Sequence, residues 1–248
     1  MTSLGEVPVN LAVKRFSIVE GAVEQMNYLV PFYNKIEQRL QAKFLFDVPV
    51  LRKLNSVEEQ NDWFIAADKP LLNSFLSTQL VNNRYPFIDA SFKYGKVLQT
   101  GYLDTYNFKQ CYLNFLLKQN LLREQTFDYD QLVVANDHVV YNDIVARHII
   151  FAEGFGLQHN PFFNYLPLDG TKGELLLIHA PQLELDSIIN ASIFILPIGN
   201  DLYKIGATYN WEDKSEIPTE NGKQELLEKL KNTINCDFEV REHVAGVR

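Results

Sequence analysis

The sequence predicts a mixed α/β (α+β) fold in which helices and strands do not strictly alternate. An apolar stripe with the helical period of about 3.6 residues runs through 17–41 and predicts a long helix. Segments rich in valine, tyrosine, phenylalanine and threonine occupy 77–103 and recur after residue 122, where they predict short antiparallel strands. Together these observations predict an α/β layer with an inserted, mostly antiparallel sheet flanked by helices.

The predicted helices cover 17–41, the segment after Ser56, 105–119 and 222–234. Pro31 falls inside the first helix and is expected to kink or split it. Ser56, with Glu59 three residues later, forms a capping box that predicts the start of the second helix. Asp104 or Thr105 supplies the cap of the third helix.

Strands are predicted from β-branched and aromatic runs between turn residues. The predicted strands cover 43–53 with a break at Pro49, the short segments within 77–103, 123–129, 131–135, 139–141, 148–152, 175–179, 192–197, 202–208 and 237–243. The Asn-Asp pair at 136–137 and the Gly-Asn-Asp run at 199–201 are predicted to be the turns of two hairpins.

Composition excludes several classes of protein. Hydrophobic residues make up 46% of the 248 positions and charged residues 22%, as in ordinary soluble globular proteins. The net charge of −8 and the lack of a Lys/Arg run argue against nucleic-acid binding. Cys111 and Cys236 stand alone, and the five histidines are scattered, so we expect no disulfide, no metal site and a reducing, cytoplasmic location. No apolar run reaches the roughly 20 residues of a membrane span.

Five phrases in the second half of the chain carry a family resemblance. They are HIIFAEGFG at 148–156, GTKGELLLI at 170–178, ILPIGN at 195–200, YKIGATY at 203–209 and HVAGVR at 243–248. In this order and spacing they resemble the D-amino-acid oxidase / glycine oxidase-like family of FAD-dependent oxidoreductases. The resemblance covers nearly the whole chain. It implies an FAD cofactor, an amine or amino-acid substrate, and hydride transfer from the substrate α-carbon to the flavin.

The resemblance implies two discontinuous domains. Residues 1–41 and 100–168 would form an incomplete FAD/NAD(P)-binding Rossmann-like domain, and 42–99 with 169–248 the substrate-binding sheet. The dinucleotide fingerprint G-x-G-x-x-G does not occur in the sequence. The chain is therefore expected to be a fragment of a longer oxidase-like protein, truncated at both ends.

Six residues are implied to bind the cofactor: Lys14, Arg15, Phe127, Ala152, Gly154 and Gly173. Lys14 and Arg15 lie in a stretch similar to a family segment that passes near the flavin. Phe127 takes the place of a family residue whose backbone pairs with the adenine edge. A side chain at Gly154 would block a close approach of the backbone to a ligand, and Gly173 suits a sharp turn near the flavin.

Four residues are implied to bind the substrate: Tyr203, Thr208, Tyr209 and Arg248. The first three lie on or just after a strand that covers the flavin ring in the family. Arg248 resembles a family arginine that grips the substrate carboxylate, which a guanidinium holds with two parallel hydrogen bonds.

Two other interpretations stay open at this point. The missing fingerprint favours a non-catalytic fragment or binding module that has the substrate-domain fold and no affinity for FAD. A weaker third reading is the oxidase-like half of a tRNA-modifying enzyme, which the absence of a basic patch disfavours. Fold-level resemblance does not choose the substrate, the electron acceptor or the oligomeric state.

Overall fold

The computed structural model of the chain describes residues 6–9 and 21–248. Its helices are α1 (Ala22–Leu40), α2 (Val57–Ala67), α3 (Thr105–Lys118) and α4 (Glu220–Lys231). Its strands are β1 (Glu6–Val9), β2 (Leu45–Asp47), β3 (Val50–Lys53), β4 (Leu76–Val81), β5 (Tyr94–Val97), β6 (Gly101–Asp104), β7 (Leu132–Val134), β8 (Val139–Tyr141), β9 (Ile144–Ala146), β10 (Lys172–His179), β11 (Ile188–Asn190), β12 (Phe194–Gly199), β13 (Leu202–Gly206) and β14 (Glu239–Val247). The predicted mixed α/β fold is confirmed.

An eight-stranded sheet forms the centre of the molecule, in the order β14-β10-β13-β12-β11-β3-β5-β4. All its pairs are antiparallel except β3 with β11, which run parallel. Successive side chains of a strand point to opposite faces of the sheet, so the strands contribute side chains to two cores, one on each face. One core packs Leu226 and Leu230 of α4 against the sheet, and the other packs Trp63 of α2.

The described residues also form two smaller sheets. One has the order β1-β6-β2 and the other is the antiparallel meander β7-β8-β9. The eight-stranded sheet takes all its strands from 42–99 and 169–248, while β2 lies within 42–99 and pairs with β6. The division of the chain into two domains stays a prediction.

The helix starts confirm the capping signals in the sequence. The Ser56 hydroxyl accepts a 3.1 Å hydrogen bond from the Glu59 N–H, and the Asp104 carboxylate accepts one of 2.9 Å from Asn107. Helix α1 continues through Pro31 as one element. No described helix is both long and apolar enough to cross a bilayer.

Two predicted strands are wrong. Residues 123–129 and 148–152 are irregular, although their composition is typical of strands. Within the described residues neither segment is hydrogen-bonded to a strand as part of a sheet, and without such pairing a β-prone sequence does not form a strand. Phe127 and Phe151 are instead held by ring contacts, with centroids 5.6 Å apart. Strands β9 and β11 lie outside the strands predicted from the sequence.

The glycine at position 95 is required by the core below the sheet. A Cβ built on Gly95 would lie 2.5 Å from the Trp63 indole, which is fully buried and donates its N–H to the Ser77 carbonyl at 2.8 Å. We expect Gly95→Ala to lower the free energy of unfolding by about 1–3 kcal/mol in urea titrations, the range for overpacking. Gly156→Ala is the control, because its Cβ would meet the nearest atom at 3.6 Å. Equal stability of the two variants would contradict this packing.

Candidate functional site

Three strands of the large sheet bring segments that are distant in the sequence together at one end of the sheet. Strand β10 lies between β13 and β14 and is antiparallel to both. The start of β10 therefore lies beside the ends of its two neighbours: Lys172 faces Val247 of β14, and Leu175 faces Gly206 of β13. This end of the sheet is here called the sheet-end site. It comprises residues 170–173, 206–211 and 246–248.

Arg248 is fixed in the sheet-end site through its backbone. Its N–H and C=O exchange hydrogen bonds of 3.1 and 2.8 Å with Thr171. Its guanidinium carbon lies 5.2 Å from the centroid of the Tyr209 ring, within the range of a cation–π contact. Tyr209 is 65% exposed, so this pair faces solvent. The backbone is held by the sheet while the cationic fork remains accessible to a ligand.

A loop that follows Tyr209 forms the rim of this site. Residues 210–219, here called the rim loop, begin with two 2.9 Å hydrogen bonds between the backbones of Asn210 and Lys172. Trp211 is 61% exposed at the start of the loop. The Lys214 ammonium donates to the Asp169 carboxylate at 2.6 Å and to the Gly170 carbonyl, which ties the loop back to the start of β10.

Beneath the rim loop lies a layer of buried charge. Lys172 is fully buried, and its ammonium donates to Asp213 Oδ2 at 2.5 Å, to Ser215 Oγ at 3.2 Å and to the Ile217 carbonyl at 2.5 Å. The hydrogen bond from Lys172 is the main cause that lowers the pKa of Asp213 to about 2, and the backbone N–H of Ser215 adds to it.

Glu174 continues this layer on the same face of β10. Its carboxylate accepts hydrogen bonds from the N–H and the hydroxyl of Thr219, at 3.0 and 2.7 Å. His243 Nε2 of β14 lies 2.7 Å from the same carboxylate. The Thr219 hydroxyl also caps α4 by accepting from Gly222 N–H at 3.0 Å. Glu174 therefore links the end of the rim loop to the sheet and to the start of α4.

The turn that follows residues 148–152 packs against the sheet-end site. A Cβ on Gly170 would clash with the ring of Phe155, at 2.5 Å, and with Val247. Gly154 precedes Phe155 at φ +57°, and a Cβ built on it has no neighbour within 4 Å. Ala152 and Gly154 are exposed. The predicted turn is present and leaves an open stretch of backbone beside the sheet-end site.

Glu153 holds that turn in place. The Tyr129 hydroxyl donates to Glu153 Oε1, and Asn160, which is fully buried, donates from Nδ2 to Glu153 Oε2 at 2.7 Å. The bond to this carboxylate is the main cause that raises the pKa of Tyr129.

The other predicted site residues lie deeper or elsewhere. Thr208 is buried, and its hydroxyl accepts from Glu174 N–H at 3.0 Å. Gly173 is also buried and lies inside β10, paired with Gly246 of β14, so the sharp turn predicted at Gly173 is wrong. Tyr203 belongs to the core, where its hydroxyl accepts from Leu185 N–H at 3.4 Å. Phe127 stacks on Tyr141, with centroids 4.3 Å apart. Lys14 and Arg15 lie outside the described residues. The ligand roles of all these residues stay predictions.

Asp213 was not singled out from the sequence, Lys172, Glu174 and His243 lie in the quoted phrases without an assigned role, and Trp211 was considered only as a possible lining residue of a substrate pocket. The available signal was the presence of two charged residues, Lys172 and Glu174, in an otherwise leucine-rich strand. Charged residues are buried only when they are paired, so this pattern indicates a buried ion pair. A cleft of about 500 Å³ lies away from this region, between α1 and the β2–β6 pair.

No family model matches the sequence. Solved structures do match. Glycine oxidase from Geobacillus kaustophilus is 16% identical with a TM-score of 0.69, over 92% of this chain and 66% of that chain. The chain shares the fold of glycine oxidase. This confirms, at the level of the fold, the resemblance drawn from the sequence phrases.

Two further matches widen the set of enzymes with this fold. L-proline dehydrogenase from P. horikoshii is 13% identical with a TM-score of 0.72, over 96% of this chain and 70% of that chain. L-amino acid deaminase from Proteus myxofaciens, solved in complex with anthranilate, is 7% identical with a TM-score of 0.66, over 97% and 70%. The chain thus spans about two thirds of the length of these proteins.

The buried layer predicts a stability change at low pH. Because the pKa of Asp213 is about 2 in the fold and near 3.9 in an unfolded chain, its pairing stabilises the fold fully above about pH 4. That stabilisation is lost as the pH falls through about 2. We expect urea titrations to show the unchanged chain more stable than Asp213→Asn at neutral pH, with the difference vanishing between about pH 4 and 2. A difference independent of pH would contradict the pairing.

Proposed function

We propose that the sheet-end site binds the carboxylate of an amino acid or amino-acid-like amine, and that the chain supplies the substrate side of an FAD-dependent oxidoreductase. One observation carries this proposal: Arg248, anchored through its backbone to Thr171, presents its guanidinium beside the exposed Tyr209 ring. Proteins with the same fold are glycine oxidase, L-proline dehydrogenase and L-amino acid deaminase, whose names all denote amino-acid chemistry.

The chemistry of the side chains supports a carboxylate ligand. A guanidinium offers a planar fork of donors that matches the two oxygens of a carboxylate, which fixes orientation as well as affinity. Tyr209 has an exposed ring beside this fork, and Trp211, two residues further along the chain, is exposed as well. They can cover the apolar part of a small ligand and exclude water from it. Arg248 would therefore orient the ligand, and the two rings would enclose it.

Two described residues fit the ring end of a flavin. At Gly154 the backbone is exposed at φ +57° with open space where a Cβ would be, so a flat ligand can approach it closely. Ala152 lies beside it and is exposed as well. For the pyrophosphate the sequence offers no G-x-G-x-x-G loop. We propose Gly154 and Ala152 as the flavin contacts of this chain.

When bound, FAD supplies the hydride acceptor for oxidation of a C–N bond, and the protein supplies binding, orientation and exclusion of water. Of these contributions of the protein, binding and orientation of the carboxylate at the sheet-end site would come from Arg248. The turn at Gly154 packs on the site through the contact of Phe155 with Gly170. The two ligand surfaces are therefore adjacent, as hydride transfer requires.

Reconstitution with FAD tests the proposed reaction. The chain would be mixed with FAD, separated from free flavin by gel filtration, and assayed with glycine and L-proline using a redox dye as electron acceptor. We expect retained flavin and dye reduction that depends on the amino acid, with Arg248→Met inactive. If carboxylates bind but no flavin is retained, the chain is a binding module without FAD, which the missing fingerprint also favours.

A further inference from the structure

We propose that Lys172 and Glu174 are positioning residues that clamp the rim loop at two points, so that Tyr209 and Trp211 form a fixed wall of the sheet-end site. The clamp rests on the proposed function only in its effect on ligand binding. Its effect on the loop is a separate, measurable property.

The first point of the clamp is the Lys172 ammonium. An ammonium has three N–H donors, and here all three have acceptors on the rim loop: Asp213, Ser215 and the Ile217 carbonyl. The side chain is fully buried, and a buried cation is tolerated only when it is fully paired. The loop therefore folds around the ammonium, and opening the loop would leave a buried charge without its acceptors.

The second point is the Glu174 carboxylate, two residues further along the same face of β10. It accepts two hydrogen bonds from Thr219, the last residue of the rim loop, and contacts His243. Glycine at 222 makes room for it, since a Cβ there would lie 2.5 Å from the carboxylate carbon. The Lys172 and Glu174 charges lie 3.8 Å apart and stabilise each other.

The exposed aromatic residues Tyr209 and Trp211 lie at the start of the rim loop, where the Lys214 ammonium donates to the Trp211 carbonyl at 2.6 Å. Trp211 follows Asn210, which pairs with the backbone of Lys172, and precedes Asp213, which pairs with its ammonium. The same residue of β10 thus holds the chain on both sides of Trp211. A mobile lid would lack such anchors, so the geometry points to a preformed rim that pays no ordering cost when a ligand binds.

Tryptophan fluorescence tests the clamp directly. The chain has two tryptophans, so Trp63→Phe leaves Trp211 as the reporter. In that background we compare Asp213→Asn with Glu212→Gln, a matched loss of one charge at the adjacent, exposed position. Asp213 is on the loop and its side chain is 32% exposed, so its substitution is expected to leave the fold intact, which a thermal melt checks.

The expected result has two parts. Asp213→Asn should speed the anisotropy decay of Trp211 and weaken the binding of anthranilate about tenfold, the loss of one charge-assisted hydrogen bond. Glu212→Gln should change neither the anisotropy decay of Trp211 nor the affinity for anthranilate. Asp213→Glu keeps a carboxylate, so for both quantities it should lie between the unchanged chain and Asp213→Asn. The clamp would be overturned if the mobility of Trp211 is unchanged in Asp213→Asn. It would also be overturned if Glu212→Gln mobilises Trp211 as much as Asp213→Asn does. A mobile Trp211 with unchanged affinity would overturn the positioning role.

Failure of the proposed function gives a different pattern. If the unchanged chain does not bind anthranilate, yet Trp211 becomes mobile only in Asp213→Asn, the carboxylate site is wrong and the clamp stands.

Discussion

With anthranilate as a carboxylate probe of the proposed site, replacing Arg248 with methionine is expected to weaken binding by about 3 kcal/mol, or roughly two orders of magnitude. Methionine keeps much of the length of the side chain and removes the charged fork. The backbone bonds with Thr171 are kept, so the sheet is not altered. Isothermal titration calorimetry measures the change, with anthranilate as the ligand.

Two further variants make this result specific. Arg84 also lies over a tyrosine ring, 5.3 Å from the Tyr85 centroid, but on a different part of the surface, so Arg84→Met should bind anthranilate normally. Arg248→Lys keeps the charge and loses the planar fork, and it should fall between the two. Undiminished binding by Arg248→Met would show that the carboxylate is bound elsewhere.

Lys172→Met is expected to lower the free energy of unfolding by about 3 kcal/mol. Breaking a buried ion pair by removing one partner costs about 3–5 kcal/mol, and the partial exposure of Asp213 places this case at the lower end. Methionine fills a similar volume, so the loss would come from the carboxylate of Glu174 and the loop acceptors that lose their cation. Urea unfolding followed by circular dichroism measures the difference.

Lys229→Met is the control for this substitution. Lys229 lies on α4 and pairs with Glu225 one turn earlier, and the two side chains are 36% and 47% exposed. Solvent-exposed pairs contribute about 0–1 kcal/mol, so this variant should stay close to the unchanged chain. If both variants lose equally little, the buried layer does not stabilise the fold.

The predictions from sequence succeeded where the cause is local. The helices after Ser56 and Asp104 begin at the predicted caps because a single side chain satisfies a nearby N–H group. The hairpin turn at 199–201 is present, with positive φ at all three residues. Such features depend on a few consecutive residues, which the sequence shows directly.

The predictions failed where the cause lies in distant residues. Residues 148–152 have the composition of a strand, but a strand needs a paired neighbour, and composition does not reveal one. The rim loop and its clamp join Lys172 to Asp213 across 41 positions, a contact that no periodicity indicates. Arg248 was proposed from a resemblance, and its position beside Tyr209 became visible only in the structure.

The proposed carboxylate site and the proposed flavin site are adjacent on this chain, so a ligand in one should perturb the other. The visible spectrum of FAD retained by the chain, recorded during a titration with anthranilate, tests this. We expect a saturable change of the flavin bands that is lost in Arg248→Met, because the carboxylate at Arg248 would lie next to the ring at Gly154. A flavin spectrum that stays constant while calorimetry shows anthranilate binding would show that the two sites are not adjacent.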